Sequence, residues 1–146
     1  MEEINIKVEE IEDLTRVTNA VQNWLEKTNV VLLVGELGSG KTTFTKSFCN
    51  TLFGHDEASS PTYSLINIYK TGGHKDFDTM AHMDLYRIKS TAEAMDAGVD
   101  EYLTDPRTLC FIEWPTLVEN LIDACILIKI EVCQNGTRNF VLSLIE

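Results

Sequence analysis

Residues that break or cross-link a chain are scarce in this sequence. It holds three prolines and eight glycines in 146 residues, which excludes Pro- or Gly-rich linkers and low-complexity tracts. No repeat interrupts it, and residues 1–146 read as a single domain. Its four cysteines (Cys49, Cys110, Cys125 and Cys133) form no C-x-x-C pair, and three lie within apolar runs. They are expected to be small buried hydrophobes with reduced thiols, not a disulfide framework. No run approaches the ~18 uninterrupted apolar residues of a membrane span. The opening MEEINIKVEE lacks the layout of a secretory leader, so a cytoplasmic protein with no membrane role is expected. Basic residues are few as well: 12 Lys and Arg against 23 Asp and Glu give a net charge of −11. That balance argues against a protein whose main task is gripping nucleic acid by its phosphates or lying on an anionic membrane. It leaves room for a basic protein partner, or for a locally basic pocket in an acidic shell.

What is present is ordinary globular usage, 44% hydrophobic and 24% charged. The chain is long enough to bury roughly 68% of its unfolded surface. Met1 to Val8 predicts an edge strand. From Glu10 to Lys27, Ile11, Leu14, Val17, Val21 and Leu25 recur at helical spacing with Trp24 alongside. The run VVLLV, ending at Val34, is that of a strand covered on both faces. A helix is predicted from Lys41 to Phe53, with Gly54 as its stop. Tyr63 to Lys70 and Asp76 to Ile88 read as a hairpin joined by Thr71–His74, and Ser90 with Glu93 as a capping box. LCFI, Leu109 to Ile112, is a second buried strand, followed by a short helix near Leu117 to Ile122. Ile126 to Val132 alternates and turns at Asn135-Gly136 into a last strand bearing Phe140, Leu142 and Leu144. The fold class is α/β: a P-loop NTPase-like three-layer sandwich with a mixed, mostly parallel central sheet and antiparallel hairpins.

Gly35-Glu36-Leu37-Gly38-Ser39-Gly40-Lys41-Thr42 satisfies G-x-x-x-x-G-K-[ST] directly after VVLLV and at the start of an amphipathic helix. Glycines let successive backbone N–H groups aim at phosphate oxygens. Lys41 supplies a charge for the β- and γ-phosphates, and the Thr42 hydroxyl can ligate Mg²⁺. The helix N-terminus adds its positive dipole. The expected nucleotide contacts are Glu36, Leu37, Gly38, Ser39, Gly40, Lys41, Thr42 and Thr43. No Asn-Lys-x-Asp and no D-x-x-G occurs, so ATP with Mg²⁺ is expected and not a guanine nucleotide. Such a loop needs a second Mg²⁺ ligand and a group that places the attacking atom. Asp84, in HMDLYR, and Glu113, at the end of LCFI, are the candidates. His82 either orients a neighbouring acid or is a structural histidine. Tyr86 and Arg87 pair with acids for packing or contact a partner or phosphate, and Trp114 is a packed aromatic or a base-stacking platform.

Taken in order, GELGSGKTTF, SPTYSLINIY, HMDLYRI, AGVDEYL and FIEWP resemble the bacterial TsaE proteins, formerly called YjeE. The resemblance implies a small ATPase that acts with the proteins TsaB and TsaD to make threonylcarbamoyladenosine at adenosine 37 of tRNA. Gly35 through Thr42 then match the family's phosphate loop, and Ser60-Pro61-Thr62-Tyr63 a nucleotide-sensing switch with Thr62 near Mg²⁺ and the γ-phosphate. Asp84 matches the metal-associated acid and Glu113 the acid implicated in hydrolysis, so Lys41, Thr62 and Glu113 are the expected catalytic residues. Thr42, Asp84 and Glu113 are the expected metal-binding residues. tRNA would be reached only through the complex. The competing reading is a small-molecule P-loop kinase. Against it stand the short chain and the lack of an arginine-rich lid, since only Arg16, Arg87, Arg107 and Arg138 occur, none evidently placed as an arginine finger.

Overall fold

A computed structural model describes residues 2–54 and 65–146. The segment around Thr62, from Ser60 to Tyr63, lies outside the described residues. In chain order the elements are β1 (Glu2–Val8), a 3-10 turn (Ile11–Asp13), α1 (Leu14–Trp24), β2 (Val30–Val34) and α2 (Lys41–Phe53). Then come β3 (Ile66–Lys70), β4 (Thr79–Asp84), α3 (Thr91–Asp96), α4 (Val99–Thr104) and β5 (Thr108–Glu113). A 3-10 helix (Pro115–Leu121), β6 (Cys125–Val132) and β7 (Arg138–Ile145) follow. Seven strands form one sheet in the order β1-β7-β6-β2-β5-β4-β3. The four central strands β6, β2, β5 and β4 are mutually parallel, while β7 and β3 run against their neighbours.

Side-chain alternation along the central strands divides the interior into two cores. Val31, Leu33, Leu109, Phe111, Ile126 and Ile128 meet α1 and α2 on one face. Val30, Leu32, Cys110, Ile112, Ala81 and Met83 meet α3, α4 and the 3-10 helix on the other. Burial on both faces is why β2 and β5 read as unbroken apolar runs. β6 instead keeps Ile126, Ile128 and Ile130 inside and exposes Lys129 and Glu131, as its alternation predicts. Four buried rings fix α2 to the sheet: Phe44 lies 6.1 Å from Phe48, 6.2 Å from Phe111 and 5.8 Å from Phe140.

Four features depart from the sequence reading. The first helix starts at Leu14, and Ile11 is 71% exposed in the preceding turn. The cause is local: the Asp13 carboxylate accepts the backbone N–H groups of Glu9 and Glu10 at 2.9 and 3.0 Å, which winds a 3-10 turn before the helix. Those bonds also hold the Asp13 carboxyl below its usual range. The hairpin connection is longer than Thr71–His74, because the Thr71 N–H reaches the Asp78 carbonyl at 3.2 Å. β4 ends at Asp84 because that carboxylate captures the Tyr86 N–H at 3.0 Å and turns the chain. The helix near Leu117 is a 3-10 helix opened by Pro115. Of the cysteines, Cys133 is exposed and the other three are buried, and burial pushes the Cys49 and Cys110 thiols up to about 12.

Phe44→Ala removes the centre of the ring cluster that joins α2 to β5 and β7. Urea unfolding should show a loss of about 3–5 kcal/mol. A loss under 1 kcal/mol, on the order of a surface substitution, would contradict this role for Phe44.

Candidate functional site

Parallel strands deliver their C-terminal ends to one edge of the sheet, where open α/β folds place their ligand sites. Here β2 runs straight into the glycine loop. The β2–β5 register sets Leu33 opposite Glu113, and the β4–β5 register sets Glu113 opposite Asp84. Three neighbouring strands therefore bring the loop and both predicted acids side by side, although up to 78 residues separate Gly35 from Glu113 in the sequence.

The loop is built around its glycines. A Cβ on Gly35 would stand 2.5 Å from Ser39 Oγ and 3.0 Å from the Ile130 carbonyl oxygen. Gly40 has φ 113°, a conformation that strains any residue with a side chain. Gly40 is also the cap from which α2 starts at Lys41, so the first N–H groups of that helix open onto the cleft. The Lys41 ammonium donates to the Gly35 carbonyl at 2.7 Å, folding the side chain back over its own loop.

A cleft of about 460 Å³ lies above the loop. Of the predicted residues, Leu37, Gly38, Gly40, Lys41, Thr42, Thr43, Asp84 and Glu113 line it. Glu36 and Ser39 do not. Ser39 is buried beneath the loop, and its hydroxyl has no partner among the described residues. Glu36 is exposed, yet its charge still acts on Lys41. Lys41 is only 6% exposed; burial pulls its pKa down, against the opposing pull of Glu113, Asp84 and Glu36. The Trp114 ring lies 4.0 Å from the ammonium and stacks at a tilt on Tyr86, 4.9 Å away. Trp114 has φ 57°, a left-handed backbone that costs roughly 1–2 kcal/mol and turns its ring into the cleft. Trp114 and Tyr86 pack on each other, and Trp114 also lines the cleft.

His82 and Glu113 form a buried pair, Nε2 to Oε2 at 2.6 Å. His82 therefore has an acid as its neighbour, the contact that the first of its two alternatives requires. Two features of the cleft were not legible in the sequence. Arg138, the first residue of β7, donates to the carbonyls of Ser39 (2.8 Å), Gly38 (3.4 Å) and Gly136 (3.1 Å), tying the last hairpin to the phosphate loop. Arg138 thus lines the cleft with its donors engaged by loop carbonyls. Val8, Ile11, Leu14 and Phe140 add apolar lining to the cleft, with Glu9 and Glu10 beside them. Neither carries a local signal, because both depend on β7 lying between β1 and β6.

The donor set suits Mg²⁺, which takes one or two carboxylates and keeps phosphate oxygens and waters for its remaining positions. Thr42 and Asp84 line the cleft together, and no cluster of three His, Cys, Asp or Glu occurs among the described residues, as a protein-only metal cage would need. No helix among those residues is long and apolar enough to cross a membrane.

The family model described as "Threonylcarbamoyl adenosine biosynthesis protein TsaE" matches residues 8–140. Curated relatives carrying the name tRNA threonylcarbamoyladenosine biosynthesis protein TsaE include one from Treponema pallidum, 32% identical over 133 residues (90% of this chain, 94% of that protein). Another, from Rickettsia felis, is 31% identical over 129 residues (87% and 72%), and one from Bacillus subtilis is 40% identical over 91 residues (62% and 53%). The crystal structure of Bacillus subtilis YdiB superposes with a TM-score of 0.71 at 23% identity, covering 99% of this chain and 87% of that one, which shows the shared fold. A match over residues 8–140, with the phosphate loop, Asp84 and Glu113 all inside it, means that the chain belongs to the TsaE family of threonylcarbamoyl adenosine biosynthesis.

Proposed function

We propose that this chain binds ATP with Mg²⁺ in the 460 Å³ cleft and hydrolyses it as the ATPase component of tRNA threonylcarbamoyladenosine synthesis. It acts with TsaB and TsaD and meets tRNA only through them. The observation that carries the reading is the strand register, which sets Glu113 and Asp84 beside a glycine loop whose Lys41 ammonium is already buried. Backbone N–H groups from Gly38 to Thr43 cradle the phosphates, and Lys41 exchanges its Gly35 carbonyl for the β- and γ-phosphate oxygens. Val8, Ile11, Leu14 and Phe140 form the apolar lining that receives the adenine. Thr42 and Asp84 would hold Mg²⁺, with Glu113 next to them; the ion neutralises phosphate charge when bound. Glu113 orients the attacking water and takes its proton while the new P–O bond forms and the bond to ADP breaks. Thr62, outside the described residues, completes the set as the γ-phosphate sensor that the family resemblance implies.

Lys41→Ala should weaken ATP binding roughly 10- to 100-fold, the worth of a charged hydrogen bond. Nucleotide titration checks this, with circular dichroism confirming the fold, and wild-type affinity in the variant would sink the assignment. Asp84→Ala should weaken Mg²⁺-dependent binding more than metal-free binding. Glu113→Ala should spare binding and slow phosphate release by about 100-fold; the reverse pattern would exchange the two roles.

The isolated chain should turn over slowly, because Lys41 and the helix N-terminus supply only part of the charge a transferring phosphoryl group needs and Arg138 is engaged by loop carbonyls. Adding TsaB and TsaD should raise steady-state phosphate release, and raised salt should weaken the gain, as expected for docking of a chain of charge −11. Fast, partner-independent hydrolysis would refute the incomplete-site reading.

A further inference from the structure

The ATPase reading assigns Glu113 a task but does not explain what holds its carboxylate at the right angle. Glu113 ends β5, and its side chain lies in a nearly dry place, with His82 0% and Glu113 4% exposed at the side chain. The parallel register puts His82 opposite Phe111 on the neighbouring strand, two residues before Glu113. Both side chains therefore leave the same face of the sheet one pleat apart, and Nε2 meets Oε2 at 2.6 Å. An ionised carboxylate only accepts, so Nε2–H is the donor and Nδ1 points away from the acid. Nδ1 has no partner among the described residues, so within that set His82 has one polar task. Phe111, at the paired position, is fully buried, which keeps the ring from finding another rotamer and the bond from being replaced by water.

We infer that His82 is a positioning residue for the hydrolytic step: by occupying Oε2 it fixes the carboxylate plane and turns Oε1 toward the cleft. The inference rests on the ATPase reading. It adds the element that converts a carboxylate on a strand end into one held at a defined angle. Without the Nε2–H donor, Glu113 swings or draws in water, and its free oxygen no longer meets the attacking water in line with the bond to ADP. Binding of ATP does not use this contact, because His82 does not line the cleft.

Three variants test it: His82→Phe, which keeps volume and removes the donor, His82→Gln, whose amide nitrogen reaches the place of Nε2, and His82→Asn, whose shorter amide does not. Steady-state phosphate release and ATP titration are measured for each beside the wild type, with circular dichroism and thermal melting as controls. His82→Phe should lower kcat by about 10- to 100-fold, the usual effect of losing a partner that orients a reacting group. KM and ATP affinity should stay within about twofold, a change of less than RT ln 10. His82→Gln should recover most of the rate and His82→Asn should not, a discrimination that a merely structural role would not produce. If His82→Phe fails to fold, the Gln and Asn pair decides alone. In a Glu113→Gln background, His82→Phe should cause little further loss. Unchanged kcat in His82→Phe, or equal rates for Gln and Asn, overturns the positioning role while leaving the ATPase reading intact. No hydrolysis by the wild type with its partners overturns both.

Discussion

The parallel pairing of β2, β5 and β4 is the constraint on which the cleft depends. A strand's side chains alternate between faces, so a slip of one residue in β5 would turn Glu113 away from His82 and bury it among the residues packed on α3 and α4. The register is held by what lies below the acids. Leu109 and Phe111 must fill one core while Cys110 and Ile112 fill the other, and all four are fully buried. Site geometry is thus specified by apolar packing several residues before the acids appear. The acids are carried where the core sends them.

The same reasoning applies to α2. Its first turn must stand still if the N–H groups of the loop are to act as a fixed cradle, and Gly40, its cap, has no side chain with which to hold it. Phe44, one turn into the helix, does so by packing against rings from α2, β5 and β7. Arg138 adds a polar tie from the opposite side, through the carbonyls of Gly38 and Ser39. The loop is held between an aromatic cluster below and a guanidinium beside it.

What was legible in the sequence was what depends on neighbours along the chain. The phosphate loop, VVLLV and LCFI are local patterns, and a parallel sheet of buried strands follows from the last two. Asp84 and Glu113 could be nominated because both sit at strand ends. Arg138 could not, since only the insertion of β7 between β1 and β6 brings it to Gly38. Ile11 was assigned to the helix stripe because its spacing fits. Periodicity cannot see that Asp13 captures two N–H groups and starts the helix three residues later. The length of the β3–β4 turn was missed for the same reason: the Thr71 to Asp78 bond is a contact across the hairpin, not a property of Thr-Gly-Gly-His.

Among the described residues β1 pairs only with β7, Glu2 opposite Leu144 and Val8 opposite Arg138. The apolar lining of the cleft therefore joins the first strand of the chain to its last. In the folding chain the phosphate loop is a local structure, yet Val8 has no strand to pair with until β7 is in place. Until then the glycine loop lacks Arg138 and Phe140 beside it. Pairing across so large a sequence separation is also slow to form. β7 is thus the element on which both the sheet and the cleft close: it links β1 to β6 and brings Arg138 and Phe140 to the phosphate loop.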